Sequence, residues 1–302
     1  MTKSVAFLGS KAAGLQLCKL LCSGLPNGTL RAIICPDDSS DSRTVLDDFV
    51  ALGEKYGVPV HVAKDRKSTS SLLDLYGITH AFVHGWYQII SVGQGRQFYG
   101  FHYSALPKYR GNAPLVWQII NGEPEIGISF FAFSDGMDEG DVNSQKFFKL
   151  DICESICEAL EKANGAMLEI MESQLAPFLS DKLEFKKQRH DLASYCALRT
   201  PEDGRIDWSN SATKVHNFIR AQTHPYPGAF SLLSDGKVVR IWKSEIESRV
   251  FFGVPGGVAE VRDDTVVVAC GEGAIRVVSA AVDGSPGMSL RQIFNSLRIR
   301  LK

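Results

Sequence analysis

The first half of the chain alternates short, continuous apolar runs with segments of helical periodicity. Apolar runs at residues 5–8, 32–35, 58–62 and 80–84 predict strands that are buried on both faces. Segments with helical spacing follow the first three runs, at about residues 10–21, 44–56 and 69–76. This regular alternation of strand and helix predicts an α/β fold with a Rossmann-like, doubly wound parallel sheet.

The second half changes character after one long helical segment. Apolar residues recur at helical spacing through 152–179, and residues 190–204 then contain Pro, Asp and Gly without periodicity, which indicates a domain boundary. Beyond a predicted helix at 212–221, five short apolar runs separated by turns predict a small β-barrel of the oligonucleotide/oligosaccharide-binding (OB) type. These runs are 229–233, 238–242, 257–261, 266–269 and 274–280. We therefore predict a first domain over residues 1–190 and an OB-like β domain over residues 204–302.

The stretch from 101 to 145 contains the most informative chemistry. It opens on His102, at the end of a short apolar run, and closes with an acidic, glycine-punctuated loop at 135–141. A helix-like segment and an apolar run between them can return this loop to the side of the histidine. In a parallel sheet, ligands bind at the edge formed by the carboxyl ends of the strands. A carboxylate there orients an imidazole ring and favours its protonated form, so the pattern predicts an acid–base pair.

Composition and charge narrow the classes of function. The chain has 302 residues, of which 44% are hydrophobic and 22% are charged, as in ordinary globular proteins. Its net charge is −1, so no global field attracts nucleic acid or an anionic membrane. The apolar segment after Met1 is too short for a signal peptide, and no run approaches the length of a membrane span. These features predict a cytoplasmic protein.

Two kinds of site are not supported by the spacing of residues. The seven cysteines form no metal-ligand cluster and are interpreted as thiols in a reducing compartment, so no metal is expected. The turn after the first strand, Gly9 to Gly14, lacks the dinucleotide-binding spacing of glycines and the acidic residue that binds a ribose, so NAD binding is rejected.

The central stretch resembles the formyltransferases that use 10-formyltetrahydrofolate. The resemblance rests on HYSALPKYRGNAPLVWQIINGE, IGISFF and GMDEGDV, and it continues later in RTPEDGRIDW and PYPGAF. It implies a catalytic pair of His102 and Asp138, which are 36 residues apart, and selects Asp138 over Asp135 and Asp141. It also implies a folate-binding set and an acceptor-side loop. These are Trp86, Tyr87, Leu106, Asp135 and Gly136 for folate, and Lys108, Tyr109 and Arg110 for the acceptor.

The residues themselves leave two interpretations open at two of these places. Trp86 and Tyr87, which follow a predicted strand, either flank a flat ring or cap the core. The basic residues Lys108 and Arg110 are either contacts for an anionic acceptor or ordinary solvated charges.

One position departs from the family pattern. The family usually has an asparagine two residues before the histidine, where its amide helps to hold the formyl oxygen, and this chain has Gly100. Loss of one such donor costs about 10²–10³ in rate where it is used. Protonated His102, backbone N–H groups or water must then stabilise the oxyanion. The hydrolase domain of formyltetrahydrofolate dehydrogenase also lacks this asparagine, so hydrolysis stays open beside transfer.

The resemblance also bears on the acceptor. The segment KYRGNAPLVWQIINGE and the Trp-Tyr loop resemble those of the nucleotide-sugar N-formyltransferases. This resemblance implies that the acceptor is an amino sugar carried on a nucleotide. Methionyl-tRNA is less favoured as the acceptor, because tRNA binding depends on many phosphate contacts and the chain has no basic stripe. Formyltetrahydrofolate hydrolysis and a non-catalytic folate- or nucleotide-binding module are also compatible with the sequence. The oligomeric state is open, with a homodimer among the options.

Overall fold

Helices and strands alternate through the first half of the computed structural model, which describes residues 3–41, 43–92 and 95–302. In chain order, the elements up to the long helix are β1 (Val5–Gly9), α1 (Lys11–Gly24), β2 (Leu30–Pro36), α2 (Leu46–Tyr56), β3 (Val60–Ala63), α3 (Arg66–Leu75), β4 (His80–His84), β5 (Gln97–His102), β6 (Arg110–Gly111), α4 (Pro114–Ile120), β7 (Ile126–Ala132), β8 (Val142–Phe148) and α5 (Ile156–Leu179). The elements that follow are β9 (Tyr195–Cys196), α6 (Ala212–Arg220), β10 (Ala229–Leu232), β11 (Val238–Ile246), β12 (Val258–Val261), β13 (Val266–Ala269), β14 (Ala274–Val282) and α7 (Leu290–Ile293).

The main sheet has the strand order β3-β2-β1-β4-β5-β7-β8. Strands β1 to β5 pair in parallel, as the alternation of strand and helix predicts. β7 instead pairs antiparallel to β5, with Ala132 opposite Tyr99 and Ser129 opposite His102. The Rossmann-like α/β fold is confirmed, and the expectation of a parallel sheet is wrong at β7.

Strands β1, β2, β4 and β7 are largely buried on both faces, which explains their continuous apolar runs, whereas the edge strands β3 and β8 are mostly half-buried. All five residues of β1 are buried, including Phe7 at 0% exposure. One face carries a core cluster that contains Leu8, Val83 and Phe98, and Trp86 and Phe133 pack against it. Trp86 and Phe133 follow strands β4 and β7, so this cluster anchors the loops at which the site is built.

The helix α4, which follows the histidine loop, begins and ends for local reasons. Pro114 occupies its first turn, where the missing N–H is harmless. The N-cap is Ala113, with φ +51 and no side-chain hydrogen bond to the helix. Asn121 ends the helix, and Gly122 follows with φ +68, a conformation that glycine adopts without strain.

Internal contacts divide the chain into two compact units. The first contains residues 1–110, 127–147 and 162–195, and the second contains 111–126, 148–161 and 196–302. The second unit therefore includes two short stretches that interrupt the first unit, and one of them contains α4.

The second unit is built on an antiparallel sheet with the strand order β10-β11-β14-β13-β12. Its strands occur where the sequence predicts them, although β11 continues to Ile246, beyond the predicted end at residue 242. Its core cluster contains Val239, Ile275 and Val277 from the strands, with Ile219 from α6 and Phe294 from the segment after α7.

Candidate active site

His102 is the last residue of β5, and only 8% of it is exposed. Its Nε2 lies 2.7 Å from the carbonyl oxygen of Tyr109, and because a carbonyl only accepts, Nε2 donates. Nδ1 therefore faces the other way, 3.6 Å from Oδ2 of Asp138. This separation is longer than a hydrogen bond and within the range of an ion pair.

Asp138 reaches the histidine by a path that differs from the predicted one. Because β7 runs antiparallel to β5, the end of β7 lies away from His102, not beside it. The chain then turns back, and the Ala132 N–H donates to the Asp141 carbonyl oxygen at 2.9 Å. Gly140 permits the return, because a Cβ there would overlap the carbonyl oxygen of Ala132. The sequence thus predicts that His102 and Asp138 meet, but not how they meet.

Asp138 has a strained backbone at the point of contact with His102. Its φ is +50, a left-handed conformation that costs a non-glycine residue on the order of 1–3 kcal/mol. Such strain persists only where the surroundings impose it, and it is concentrated at functional sites.

Two buried side chains, Arg110 and Gln188, connect the histidine loop to the acidic loop and hold Asp138 in this conformation; we call this pair the brace. Arg110 is fully buried, and its Nε and one terminal nitrogen donate to Oε1 of Gln188 at 3.2 and 2.7 Å. Gln188 in turn donates through Nε2 to the carbonyl oxygens of Asp138 and Gly140, at 2.8 and 2.6 Å. A second carboxylate of the acidic loop, Glu139, lies 3.5 Å from the Arg110 guanidinium. The predicted contact between Arg110 and the acceptor is therefore corrected: its guanidinium acts inside the protein as a positioning group.

Replacing Gln188 with leucine is expected to lower both turnover and stability. The change removes the acceptor of a buried guanidinium and two donors to the acidic loop, which should cost about 3 kcal/mol of unfolding free energy. We also expect a lower kcat with little change in KM, because Asp138 loses its position. Unfolding and steady-state kinetics check this, with Lys187→Leu at the exposed neighbouring position as the control. Equal behaviour of the two variants would contradict the role of the brace.

A second set of hydrogen bonds holds the loop that leaves His102. The N–H of Leu106 donates to Oγ of Ser129 at 3.0 Å, and that hydroxyl donates to the carbonyl oxygen of Ser104 at 2.7 Å. The amide of Gln145 donates to the Leu106 carbonyl oxygen at 2.8 Å. Leu106, which is 5% exposed, is thus fixed by groups from β7 and β8, next to a cis peptide bond to Pro107.

Aromatic rings fill the place where the family has its asparagine. The ring of Phe133 covers Gly100, and a Cβ at residue 100 would lie 2.6 Å from one ring carbon and 3.0 Å from the Val83 carbonyl oxygen. Phe133 stacks on Phe131 with ring centroids 5.1 Å apart, and Phe131 meets the His102 ring edge-on at 6.3 Å. The wall beneath the histidine is therefore apolar, and it offers no side-chain amide.

Buried polar atoms without a partner occur on both loops beside this wall. Among the described residues, Nε1 of Trp86 and Oγ of Ser134 are buried and have no hydrogen-bond partner. Trp86 follows β4, and Ser134 comes directly after Phe133, which packs on the same core cluster as Trp86. Buried polar groups are nearly always hydrogen-bonded in native proteins, so these two atoms indicate a place for a polar ligand.

The other predicted site residues lie at more exposed positions. Tyr87 is 60% exposed, and its hydroxyl donates to the Asp37 carbonyl oxygen at 3.4 Å. Asp135 is exposed, and the Glu139 side chain lies over Gly136. On the acceptor side, the Lys108 side chain is exposed, and Tyr109 has φ +59 and gives its carbonyl oxygen to His102. Of the three predicted acceptor contacts, Lys108 is therefore the residue whose charged group is exposed at the surface.

His84, at the end of β4, should make stability depend on pH. Burial lowers the pKa of His84 from 6.5 to about 4. In this pH range, His84 therefore binds a proton in the unfolded chain but not in the folded chain. The free energy of unfolding falls as the pH drops from about 6.5 towards 4. The loss approaches about 3 kcal/mol. Unfolding measured across this range should show a smaller loss in His84→Gln and an unchanged loss in His61→Gln, a half-buried histidine of β3. Parallel curves for all three proteins would contradict this assignment.

Three contributors to the site were missed in the sequence. Gln188 lies in a charged run that predicts a strand or a linker, and Ser129 and Phe133 lie in or after an apolar run. No local pattern marks these residues, since their roles arise from contacts with residues far away in the chain.

Within residues 3–41, 43–92 and 95–302, no group of three or more His, Cys, Asp or Glu side chains is arranged to hold a metal ion. In the same part of the chain, no helix has the length and apolar character needed to cross a bilayer.

Comparison with known proteins gives matches to two family models. Residues 61–169 match the formyl transferase model, and residues 199–298 match the model for the formyl transferase C-terminal domain.

Two methionyl-tRNA formyltransferases are among the curated relatives. That of Caldanaerobacter subterraneus subsp. tengcongensis is 35% identical over 191 residues, which cover 63% of this chain and 61% of the relative. That of Sorangium cellulosum is 37% identical over 185 residues, which cover 61% of this chain and 59% of the relative. The matched region thus spans less than two thirds of either relative.

Solved structures share the fold at low sequence identity. An N-formyltransferase from Helicobacter canadensis, in complex with folinic acid and dTDP-3-aminofucose, aligns with a TM-score of 0.72 and 17% identity, over 92% of this chain and 100% of the other. WlaRD, a sugar 3N-formyl transferase in the presence of dTDP and 5-N-formyl-THF, aligns with a TM-score of 0.70 and 16% identity, over 94% and 99% of the chains. With both family models matched in order along the sequence, the chain belongs to the formyl transferase family.

Proposed function

We propose that this protein transfers a formyl group from 10-formyltetrahydrofolate to an amine. The observation that carries the proposal is the buried His102, whose Nδ1 faces Oδ2 of Asp138 at 3.6 Å. We assign the chemistry to residues 1–190, the first predicted domain, with residues 204–302 as the C-terminal domain.

The two side chains divide the work of such a transfer. A bond forms between the amine nitrogen and the formyl carbon, and the bond from that carbon to N10 of the folate breaks. Protonated His102 can donate from Nδ1 to the formyl oxygen as negative charge develops there. Asp138 can accept a proton from the attacking amine, and a proton returns to N10 as it leaves. Because the Tyr109 carbonyl oxygen holds Nε2, the ring presents Nδ1 throughout.

The residues beside the pair fit a folate donor. The donor supplies the activated formyl group, and its flat, polar pterin ring needs hydrogen-bonding groups between apolar walls. Trp86 and Ser134 offer buried polar atoms without protein partners among the described residues, and Phe133 offers an apolar wall next to Gly100. Trp86, Tyr87, Leu106, Asp135 and Gly136 remain our assignment for folate binding.

For the acceptor, we propose a nucleotide-linked amino sugar. The structure from Helicobacter canadensis contains dTDP-3-aminofucose, and this chain covers that protein from end to end. The net charge of −1 also favours a small acceptor, because tRNA affinity depends strongly on phosphate contacts. Exposed Lys108, two residues from the buried Arg110, offers a positive group for a diphosphate.

Methionyl-tRNA is the second candidate acceptor. It is favoured by the curated relatives, which are methionyl-tRNA formyltransferases at 35% and 37% identity. A third candidate acceptor is water, which would make the protein a hydrolase. It is considered because Gly100, covered by the Phe133 ring, provides no side-chain amide to hold the formyl oxygen.

The acceptor is tested by incubating the purified full chain with 10-formyltetrahydrofolate and separate acceptors. The panel contains dTDP- and UDP-linked amino sugars, aminoacylated initiator tRNA, and buffer alone. We expect tetrahydrofolate release that depends on one of the sugars, together with the mass gain of one formyl group on that sugar. Release that depends on tRNA would move the assignment to the second candidate. Release that is equal in buffer alone would make the protein a hydrolase.

A further inference from the structure

A cavity of about 720 Å³ lies within the second unit, and none of the residues that line it is assigned to catalysis. Its wall is formed by the end of α4 with the turn after it, by the segment before α5, and by α6 with the residues that precede it. The volume is within the range of about 300–1,000 Å³ that small-molecule sites occupy. Nothing in the proposed formyl transfer uses this cavity.

Arg220 puts a positive charge at the cavity, and its hydrogen bonds to the protein do not neutralise that charge. Its guanidinium donates to Oδ1 of Asn217 at 2.8 Å and to the carbonyl oxygens of Asp151 and Glu154 at 3.1 and 2.7 Å. All these acceptors are neutral oxygens. Burial lowers the pKa of Arg220, with the nearby acidic groups acting in the opposite direction. A half-buried guanidinium whose hydrogen-bond acceptors are neutral oxygens can also bind an anion, because the anion recovers the charge interaction lost on leaving water.

Asn217 adds a side-chain amide to the lining of the cavity. The residue is 5% exposed and lines the cavity. Since Oδ1 accepts from Arg220, the orientation of the amide is fixed, and Nδ2 lies on its other side, close to Gly122. An amide N–H beside a guanidinium adds a neutral donor for an anionic ligand.

The rest of the lining is also suited to an anion with an organic part. Lys214 and Arg205 are exposed at the cavity, whereas the carboxylate of Asp207 already accepts from Ser209 and Asn210. Glu123 is the other acidic residue of the lining. Ile120, Pro124, Leu150 and Phe218 supply apolar surface.

We propose that this cavity binds a phosphorylated small molecule, with its phosphate at Arg220, Asn217 and Lys214 and its organic part on the apolar wall. The proposal does not rest on the formyl transfer, and it concerns a different set of residues. Inorganic phosphate and a nucleotide both present a phosphate group to these residues. Only the nucleotide has an organic part that can also bind to the apolar wall.

The test is calorimetric titration of the full chain with inorganic phosphate and, separately, with UDP. We expect saturable binding of UDP, weakened about tenfold or more in Asn217→Asp and in Lys214→Glu, because each places a negative charge against the phosphate. Lys243→Glu makes the same charge change at an exposed lysine of the same unit outside the cavity, and should bind as the wild type does. Lys108→Glu should also retain this binding, which separates the cavity from the candidate active site.

The outcomes are distinct. Binding of phosphate alone with the same pattern among the variants supports the site and assigns it to the anion. Absence of saturable binding by either compound, or equal affinity in the wild type, Asn217→Asp and Lys214→Glu, overturns the proposal. An equal loss in Lys243→Glu and Lys214→Glu also overturns it, because bulk charge would then explain the effect. If Asn217→Asp is unfolded by circular dichroism, the surface variant Lys214→Glu decides.

Discussion

Replacing His102 with alanine is expected to lower the rate of formyl transfer by about 10²–10⁴-fold. The variant removes the Nδ1 donor that faces the reacting groups, and the apolar wall of Phe131 and Phe133 offers no replacement. The effect should appear in kcat, because the interaction is strongest as charge develops on the formyl oxygen. Initial rates of tetrahydrofolate release measure it, and thermal unfolding shows whether the fold is retained.

The partner of the histidine provides the matched comparison. Asp138→Asn should also lower kcat, because the amide neither favours a protonated ring nor accepts a proton from the amine. Asp141→Asn changes a carboxylate on the same loop that lies outside the pair, and it should behave as the wild type. A wild-type rate in His102→Ala, or the same loss in Asp141→Asn and Asp138→Asn, would contradict the assignment of the pair.

Gly100→Asn, which introduces the family residue, is expected to destabilise the protein by about 1–3 kcal/mol. The new Cβ would lie 2.6 Å from the Phe133 ring and 3.0 Å from the Val83 carbonyl oxygen, so the ring must move out of its place on Phe131. Denaturant unfolding measures the loss. Gly165→Asn is the matched control, because a Cβ at residue 165 meets nothing within 4 Å.

A double-mutant cycle shows whether Phe133 is the cause. Phe133→Ala removes the ring, so Gly100→Asn should cost less in that background, with a coupling free energy of about 0.5–3 kcal/mol. Equal costs of Gly100→Asn with and without the ring would show that Phe133 does not occupy the asparagine position.

The sequence predicts those parts of the fold whose signals are local. Continuous apolar runs give the parallel strands β1 to β4, and the turn-separated runs give the strands of the second unit. Pro114 and the Asn121-Gly122 pair are local signals for the beginning and end of α4. The meeting of His102 and Asp138 follows from the motif and its spacing.

The remaining features depend on distant contacts. The apolar run that forms β7 is compatible with either a parallel or an antiparallel strand. The path of the acidic loop depends on the antiparallel pairing of β7 with β5, which the run itself does not predict. Arg110 looks like a solvated or ligand-binding charge, because its buried acceptor, Gln188, is 78 residues away. The ring over Gly100 comes from Phe133, which no local pattern connects with residue 100.

The most direct test of the proposed chemistry follows an isotopically labelled formyl group. Labelled 10-formyltetrahydrofolate is mixed with excess enzyme and an amino-sugar acceptor, and magnetic resonance records where the label goes in a single turnover. We predict that the label leaves the folate and appears as a formamide on the acceptor with the wild type, and stays on the folate with His102→Ala. Label that stays on the folate with the wild type, or that moves equally fast with His102→Ala, would contradict the assignment of formyl transfer to this histidine.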